Sequence, residues 1–93
     1  MNKGELVDAI AQKANVTKKE ADSILTATLE TILEAVANGD KVTIVGFGSF
    51  EARERQAREG RNPATGETIQ IPATRVPVFA AGKGFKERVA PAA

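Results

Sequence analysis

Five arginines, Arg53, Arg55, Arg58, Arg61 and Arg75, lie along two limbs that meet at Asn62-Pro63-Ala64-Thr65-Gly66. A guanidinium presents a rigid fork of donors that suits phosphate oxygens and narrow grooves better than a point-like ammonium does. The chemistry on offer is polyanion binding. The segment from Arg53 to Arg75 has strand periodicity and turn residues but almost nothing to bury, so its partner lies outside its own subunit. A two-stranded ribbon with that charge has the shape to enter a groove of nucleic acid. At about 3.3 Å per residue a ten-residue limb reaches roughly 33 Å, enough to follow a groove around a duplex. Glu51, Glu54 and Glu59 interrupt the basic surface and are positioned to pair with some of the arginines, which limits non-specific affinity. Pro63 is a turn former; an exposed proline ring at a ribbon tip is also the kind of apolar wedge that parts a base step.

Charge distribution supports the same reading. The net charge is only +1. Residues 1–50 carry five basic against seven acidic side chains, whereas residues 51–93 carry eight against five. A local basic patch steers an anion even when the total is near zero. Enzymatic chemistry has no foothold: there is no His or Cys and no evident carboxylate pair, and Ala81-Gly82-Lys83-Gly84 lacks the upstream Gly and the Ser/Thr of a phosphate-binding loop. Thiolate metal sites are excluded, and no cofactor is expected. The polar amino terminus and the absence of a long apolar run predict a cytoplasmic, nucleoid-associated protein without a membrane role.

The elements that position the arm follow from capping and periodicity. Asn2 caps a first helix with Glu5 three residues on, and Leu6, Val7, Ile10, Ala11 and Ala14 recur at helical spacing up to Asn15. Thr17-Lys18-Lys19-Glu20 is a capping box, in which Thr17 and Glu20 satisfy each other's backbone N–H groups. The second helix carries Ala21, Ile24, Leu25, Leu29, Ile32, Leu33 and Val36 and ends at Asn38-Gly39. Its apolar sector is too wide for one short helix to cover. Lys41 to Val45 and Ser49 to Arg55 read as strands around Gly46-Phe47-Gly48. On the return limb, Thr68 to Val76 places Ile69, Ile71 and Ala73 on one face, and Pro72 implies an edge position or a bulge in a ribbon with no central strand. A carboxyl-terminal helix begins after Ala81, with Lys83, Lys86 and Arg88 on or near one surface, and Ala90-Pro91-Ala92-Ala93 forms a frayed tail. At 93 residues, with part of the chain in an arm, one domain has too little core, and self-association is the expected remedy.

Met-Asn-Lys-Gly-Glu-Leu-Val at the start, Gly46-Phe47-Gly48-Ser49-Phe50, Gly60-Arg61-Asn62-Pro63 with Thr65-Gly66, Ile71-Pro72-Ala73, Pro77 and Gly82-Lys83 together carry a family likeness. Over essentially its whole length the chain resembles the bacterial HU family of histone-like DNA-binding proteins, its cyanobacterial members most of all. The resemblance implies an α+β fold of one domain over 1–93. It comprises an intertwined homodimer with a helical-hairpin body and small antiparallel sheet (1–52 and 76–90) and a protruding β-ribbon arm (53–75). The implied function is to bind double-stranded DNA in the minor groove with little sequence specificity, bend and wrap it, and compact the nucleoid. Nicked or distorted DNA is the expected preference. By position, Arg53, Arg55, Arg58, Arg61, Asn62, Pro63 and Arg75 are the implied arm contacts, and Lys3, Lys83 and Lys86 the body contacts to flanking phosphates. Leu29, Ile32, Val36, Ile44, Phe47, Phe50 and Phe79 are the implied dimer core. Ala80, Gln56 and Ala64 stand where other members are more basic, which predicts weaker flanking-phosphate contacts. Integration host factor, a sequence-specific heterodimer, shares the fold and the proline-tipped arms.

Two other classes of function compete. RNA binding ranks as a secondary activity, because the arm has no aromatic stacking platform and the A-form major groove is a poor receptacle. A sheet-augmenting protein module needs a free ribbon edge, and Pro72 works against it.

Overall fold

The computed structural model describes residues 1–90; of the expected frayed tail, Pro91, Ala92 and Ala93 lie outside the described residues. Two compact units divide the chain, Met1–Glu34 and the remainder from Ala35 onward.

In the first unit, α1 spans Lys3–Ala14, and α2, which spans Lys18–Ala37, begins. The Glu5 N–H donates to Asn2 Oδ1 at 2.9 Å, and Asn15 closes α1 in the left-handed conformation with its N–H on Ala11 O, so both ends match the sequence expectation. The capping box of α2 forms by half. The Glu20 N–H donates to Thr17 Oγ1 at 3.1 Å, but the Glu20 carboxylate accepts the Thr17 hydroxyl proton at 3.0 Å instead of a backbone N–H. Thr17→Ala removes both bonds and should cost about 1 kcal/mol, read as a lower urea midpoint at unchanged m-value. The helices pack through Val7, Ala11 and Ala21, with Ile10, Val16 and Leu25 around them. Their polar links join Lys3 to Thr26 and Asp8 to Lys18, which fixes an antiparallel sense.

In the second unit, α2 ends with a paired carbonyl satisfaction: the Gly39 N–H donates to Val36 O at 3.0 Å and the Asp40 N–H to Ala35 O at 2.9 Å. Strands β1 (Val42–Ile44), β2 (Gly48–Arg55) and β5 (Thr74–Ala81) form an antiparallel sheet in the order β1-β2-β5. Strands β3 (Arg58–Arg61) and β4 (Thr68–Ile71) form a separate two-stranded ladder. One sequence expectation changes here. The return limb does not end at Val76 but pairs on to Ala81 opposite Gly48, whereas β1 covers only Gly48–Phe50, so the ribbon from Arg53 onward has no central strand. Pro77 sits opposite Ala52 within that extension. An edge strand tolerates a missing ladder donor, so Pro77 did not end it.

Helix α3 (Lys83–Val89) has no side-chain cap at its start. Backbone carbonyls of the β1–β2 turn serve instead: the Gly82 N–H donates to Phe47 O at 2.8 Å and the Phe85 N–H to Gly46 O at 3.1 Å. A Cβ on Gly84 would stand 2.7 Å from Gly46 O, so the turn reaches the helix only because residue 84 has no side chain. Gly48 is needed for a similar reason: a Cβ there would meet Ala80 O and the Phe79 ring, both at 2.6 Å. The four phenylalanines form one cluster, with ring centroids 4.9 Å apart for Phe50–Phe79, 5.3 Å for Phe47–Phe85, 5.7 Å for Phe47–Phe79 and 6.0 Å for Phe79–Phe85.

Candidate nucleic-acid interface

The two ladders share one register. Arg55 faces Thr74 at the end of the first and Arg58 faces Ile71 at the start of the second, so Gln56-Ala57 lies opposite Pro72-Ala73 with no residue inserted. Pro72 marks an interruption of the ladder, and the bulge anticipated as one alternative does not form. Ala73 drops out of pairing, leaving Ile69 and Ile71 on one face with Arg58 and Gly60.

Strand alternation distributes the arginines over both faces. Arg53 and Arg55 project from one side of β2, while Arg75 lies opposite Glu54 and so belongs to the other side. Arg58 and Arg61 likewise lie on opposite faces of the β3–β4 ladder. Cations on both faces suit an element flanked by phosphates on two sides.

The glutamates neutralise little of this charge. Arg53 Nε contacts Glu51 Oε1 at 3.3 Å, whereas Glu59 accepts a hydrogen bond from Gln70 Nε2 at 3.4 Å across the ribbon. Among the described residues, Arg55, Arg58 and Arg61 have no carboxylate within salt-bridge distance. All three are exposed.

At the tip, half-buried Asn62 is the closing residue. Its N–H donates to Glu67 O at 2.8 Å, its carbonyl accepts the Gly66 N–H at 2.7 Å, and Oδ1 accepts the Ala64 N–H at 2.9 Å. This Asx turn holds Pro63 exposed at the end of the arm. Arg75 is employed differently from its neighbours: its Nη1 donates to Ala37 O at 3.3 Å, at the end of α2.

The expected body cations fall in different units. Lys3 donates to Thr26 Oγ1 at 2.9 Å and stands 3.9 Å from Asp22. Lys83 and Lys86 lie three residues apart on α3, with Lys83 Nζ 3.9 Å from Glu87 Oε1. Arg88 is about 200° around the helix from Lys86, so it does not share their surface.

The expected dimer-core positions leave much apolar surface open within one chain. Leu29 and Ile44 are exposed, Ile32 and Phe50 are half-buried, and Val36 is buried. Phe47, Phe79 and Phe85 remain 44%, 41% and 37% exposed. Phe85 was not among the positions expected in this core. Its only sequence signal was its aromatic character on a helix interrupted by Gly84. Beside it, a groove of about 550 Å³ is lined by Ala81, Phe85, Val89 and Ala90 with Lys86 and Glu87.

Comparison with known proteins places this geometry in a class of ribbon-armed DNA-binding proteins. The family model described as bacterial DNA-binding protein matches residues 1–90. A DNA-binding protein HU from Nostoc sp. is 75% identical over 91 residues, covering 98% of this chain and 97% of the relative. One from Synechocystis sp. is 60% identical over 97 residues, with 98% and 97% covered. An HU–DNA cocrystal structure from Anabaena aligns with a TM-score of 0.91 and 74% identity, covering 99% of this chain and 100% of that one. The chain belongs to the bacterial HU family of DNA-binding proteins, a family of structural rather than enzymatic proteins. No helix among the described residues is long and apolar enough to cross a membrane.

Proposed function

We propose that two copies of this chain form an architectural DNA-binding dimer that holds a duplex between its arms, along the minor groove, and bends it with little regard to base sequence. The observation that carries this reading is an arm with three exposed arginines that have no carboxylate partner among the described residues, ending in an exposed Pro63 held by the Asn62 turn. Arg53, Arg55, Arg58 and Arg61 supply phosphate and groove-wall contacts, the free amide of Asn62 reaches a groove edge, and Pro63 enters a base step. Lys3, Lys83 and Lys86 engage phosphates flanking the kink. The carboxylate neighbours of Lys3 and Lys83, Asp22 and Glu87, are exposed and easily exchanged for phosphate. Reading deformability rather than base identity favours nicked or otherwise distorted DNA, where the bend costs less. RNA stands as a secondary ligand, and the nucleoid is the site of action.

Exposed apolar side chains support the homodimer. Leu29 and Leu33 in the first unit are exposed, as are Ile44 and three of the four phenylalanines in the second, and a second copy offers the same side chains in return. The arm at residues 53–75 then projects from a shared body built from 1–52 and 76–90.

Pro63→Ala tests the wedge. With fluorophores at the two ends of a short duplex, saturating variant should bring the ends less close than the parent does, while the dimer unfolds at an unchanged urea midpoint. Equal energy transfer for the two proteins would leave Pro63 as turn chemistry alone.

A further inference from the structure

Arg75 is spaced along the arm like the other arginines, yet it is the one whose guanidinium meets backbone. The end of α2 explains why. Of its final carbonyls, Ala35 O accepts the Asp40 N–H and Val36 O the Gly39 N–H, which leaves Ala37 O without a backbone donor among the described residues. Arg75 Nη1 supplies that donor from 38 residues further along the chain, and a Cβ on Gly39 would come within 3.9 Å of Nη2. The last turn of α2 contains no basic residue, so Arg75 also brings positive charge to the negative end of the helix. Glu54, directly opposite Arg75 in the ladder, offers the guanidinium a carboxylate, but the two form no salt bridge. Arg75 stands two positions from Ala73, where the ladder is interrupted, and therefore at the root of the arm.

We propose that Arg75 is a positioning residue: it ties the root of the arm to the last turn of α2 and sets the direction in which the arm leaves, rather than neutralising a phosphate. The ladder fixes the two limbs relative to each other, but nothing in a two-stranded ribbon fixes its direction. A bidentate-capable side chain held on a helix carbonyl supplies that reference. The consequence for DNA bending rests on the function proposed above; the tether itself does not.

The test compares full-length parent, Arg75→Met and Arg75→Lys. Hydrogen exchange without DNA reads the tether directly. In Arg75→Met the amides of Gly39 and Asp40 and the ladder amides of Arg53–Arg55 and Thr74–Val76 should exchange roughly tenfold faster, as expected for loss of one charge-assisted bond. Arg75→Lys, which still reaches a carbonyl with one donor, should stay within about twofold of the parent. Binding to duplex DNA reads the role. The salt slope should fall by less than about 0.3 in Arg75→Met, against about 1.8 for Arg61→Ala, which removes one contact from each arm of the dimer, while end-to-end energy transfer at saturation drops and is restored by Arg75→Lys. A slope lowered by about 1.8 in Arg75→Met, one phosphate for each arm, makes it a phosphate contact and overturns the proposal, as does unchanged exchange at both Gly39 and the arm root. Parent protein that fails to bind DNA would sink the proposed function while leaving the exchange result to decide the tether.

Discussion

Phe79→Ala is expected to destabilise the protein by about 3–4 kcal/mol and to leave little folded protein at micromolar concentration. Phe79 contacts Phe47, Phe50 and Phe85 and presses on the strand at Gly48, so its removal opens the centre of the aromatic cluster. The size of the effect reports on what covers the cluster. In a lone chain Phe79 is 41% exposed, and truncating a half-exposed ring costs about half of what a buried one costs. The full penalty requires a second copy over the open face. Urea unfolding at several protein concentrations separates the cases. A large loss with a concentration-dependent midpoint supports the dimer, and a loss below about 1.5 kcal/mol with a fixed midpoint would mean the cluster stays solvent-facing.

Replacing Arg55, Arg58 and Arg61 together with alanine should abolish most DNA affinity without loosening the fold. These three side chains are exposed and have no carboxylate partner among the described residues to leave unpaired, so folding loses little. At about 1.5 kcal/mol for each charge-assisted contact, and with six such side chains in the two arms of a dimer, affinity should fall on the order of a millionfold. The plot of log association constant against log salt should flatten by about 5.4, close to 0.9 for each of the six phosphates released across both arms. The loss should be equal across unrelated duplex sequences. A loss confined to one sequence would instead reveal base readout by the arm.

Local signals in the chain proved the most legible. Asn2, Asn15, Thr17 and Gly39 mark their helix ends because a cap is written within a few residues of the backbone group it satisfies. The tip at Asn62 was readable for the same reason, although its bond to Glu67 O depends on strand pairing. Strand extent was harder. Thr74–Ala81 contains Pro77, and only its place at the sheet edge shows why pairing continues past a residue without an N–H. Gly84 spoke against a helix until the closeness of Gly46 O gave the glycine a reason. The arginines declared the polyanion partner by type and spacing, but not which of them is occupied at home. Arg75 looked equivalent to Arg61 because its acceptor, Ala37 O, belongs to a distant element. Phe85 joined the aromatic cluster through the docking of α3 on the β1–β2 turn, a contact that helix periodicity does not encode.

A gel-shift titration of the purified protein at two salt concentrations decides whether it is a shape-reading DNA binder that works through its arms. Intact duplex, nicked duplex and RNA of matched length serve as ligands. The account predicts salt-sensitive binding to both DNAs, tighter on the nicked one, and weaker binding to RNA. A folded dimer that bound none of the three, or bound DNA with no dependence on salt, would contradict it and turn the arm toward a protein partner.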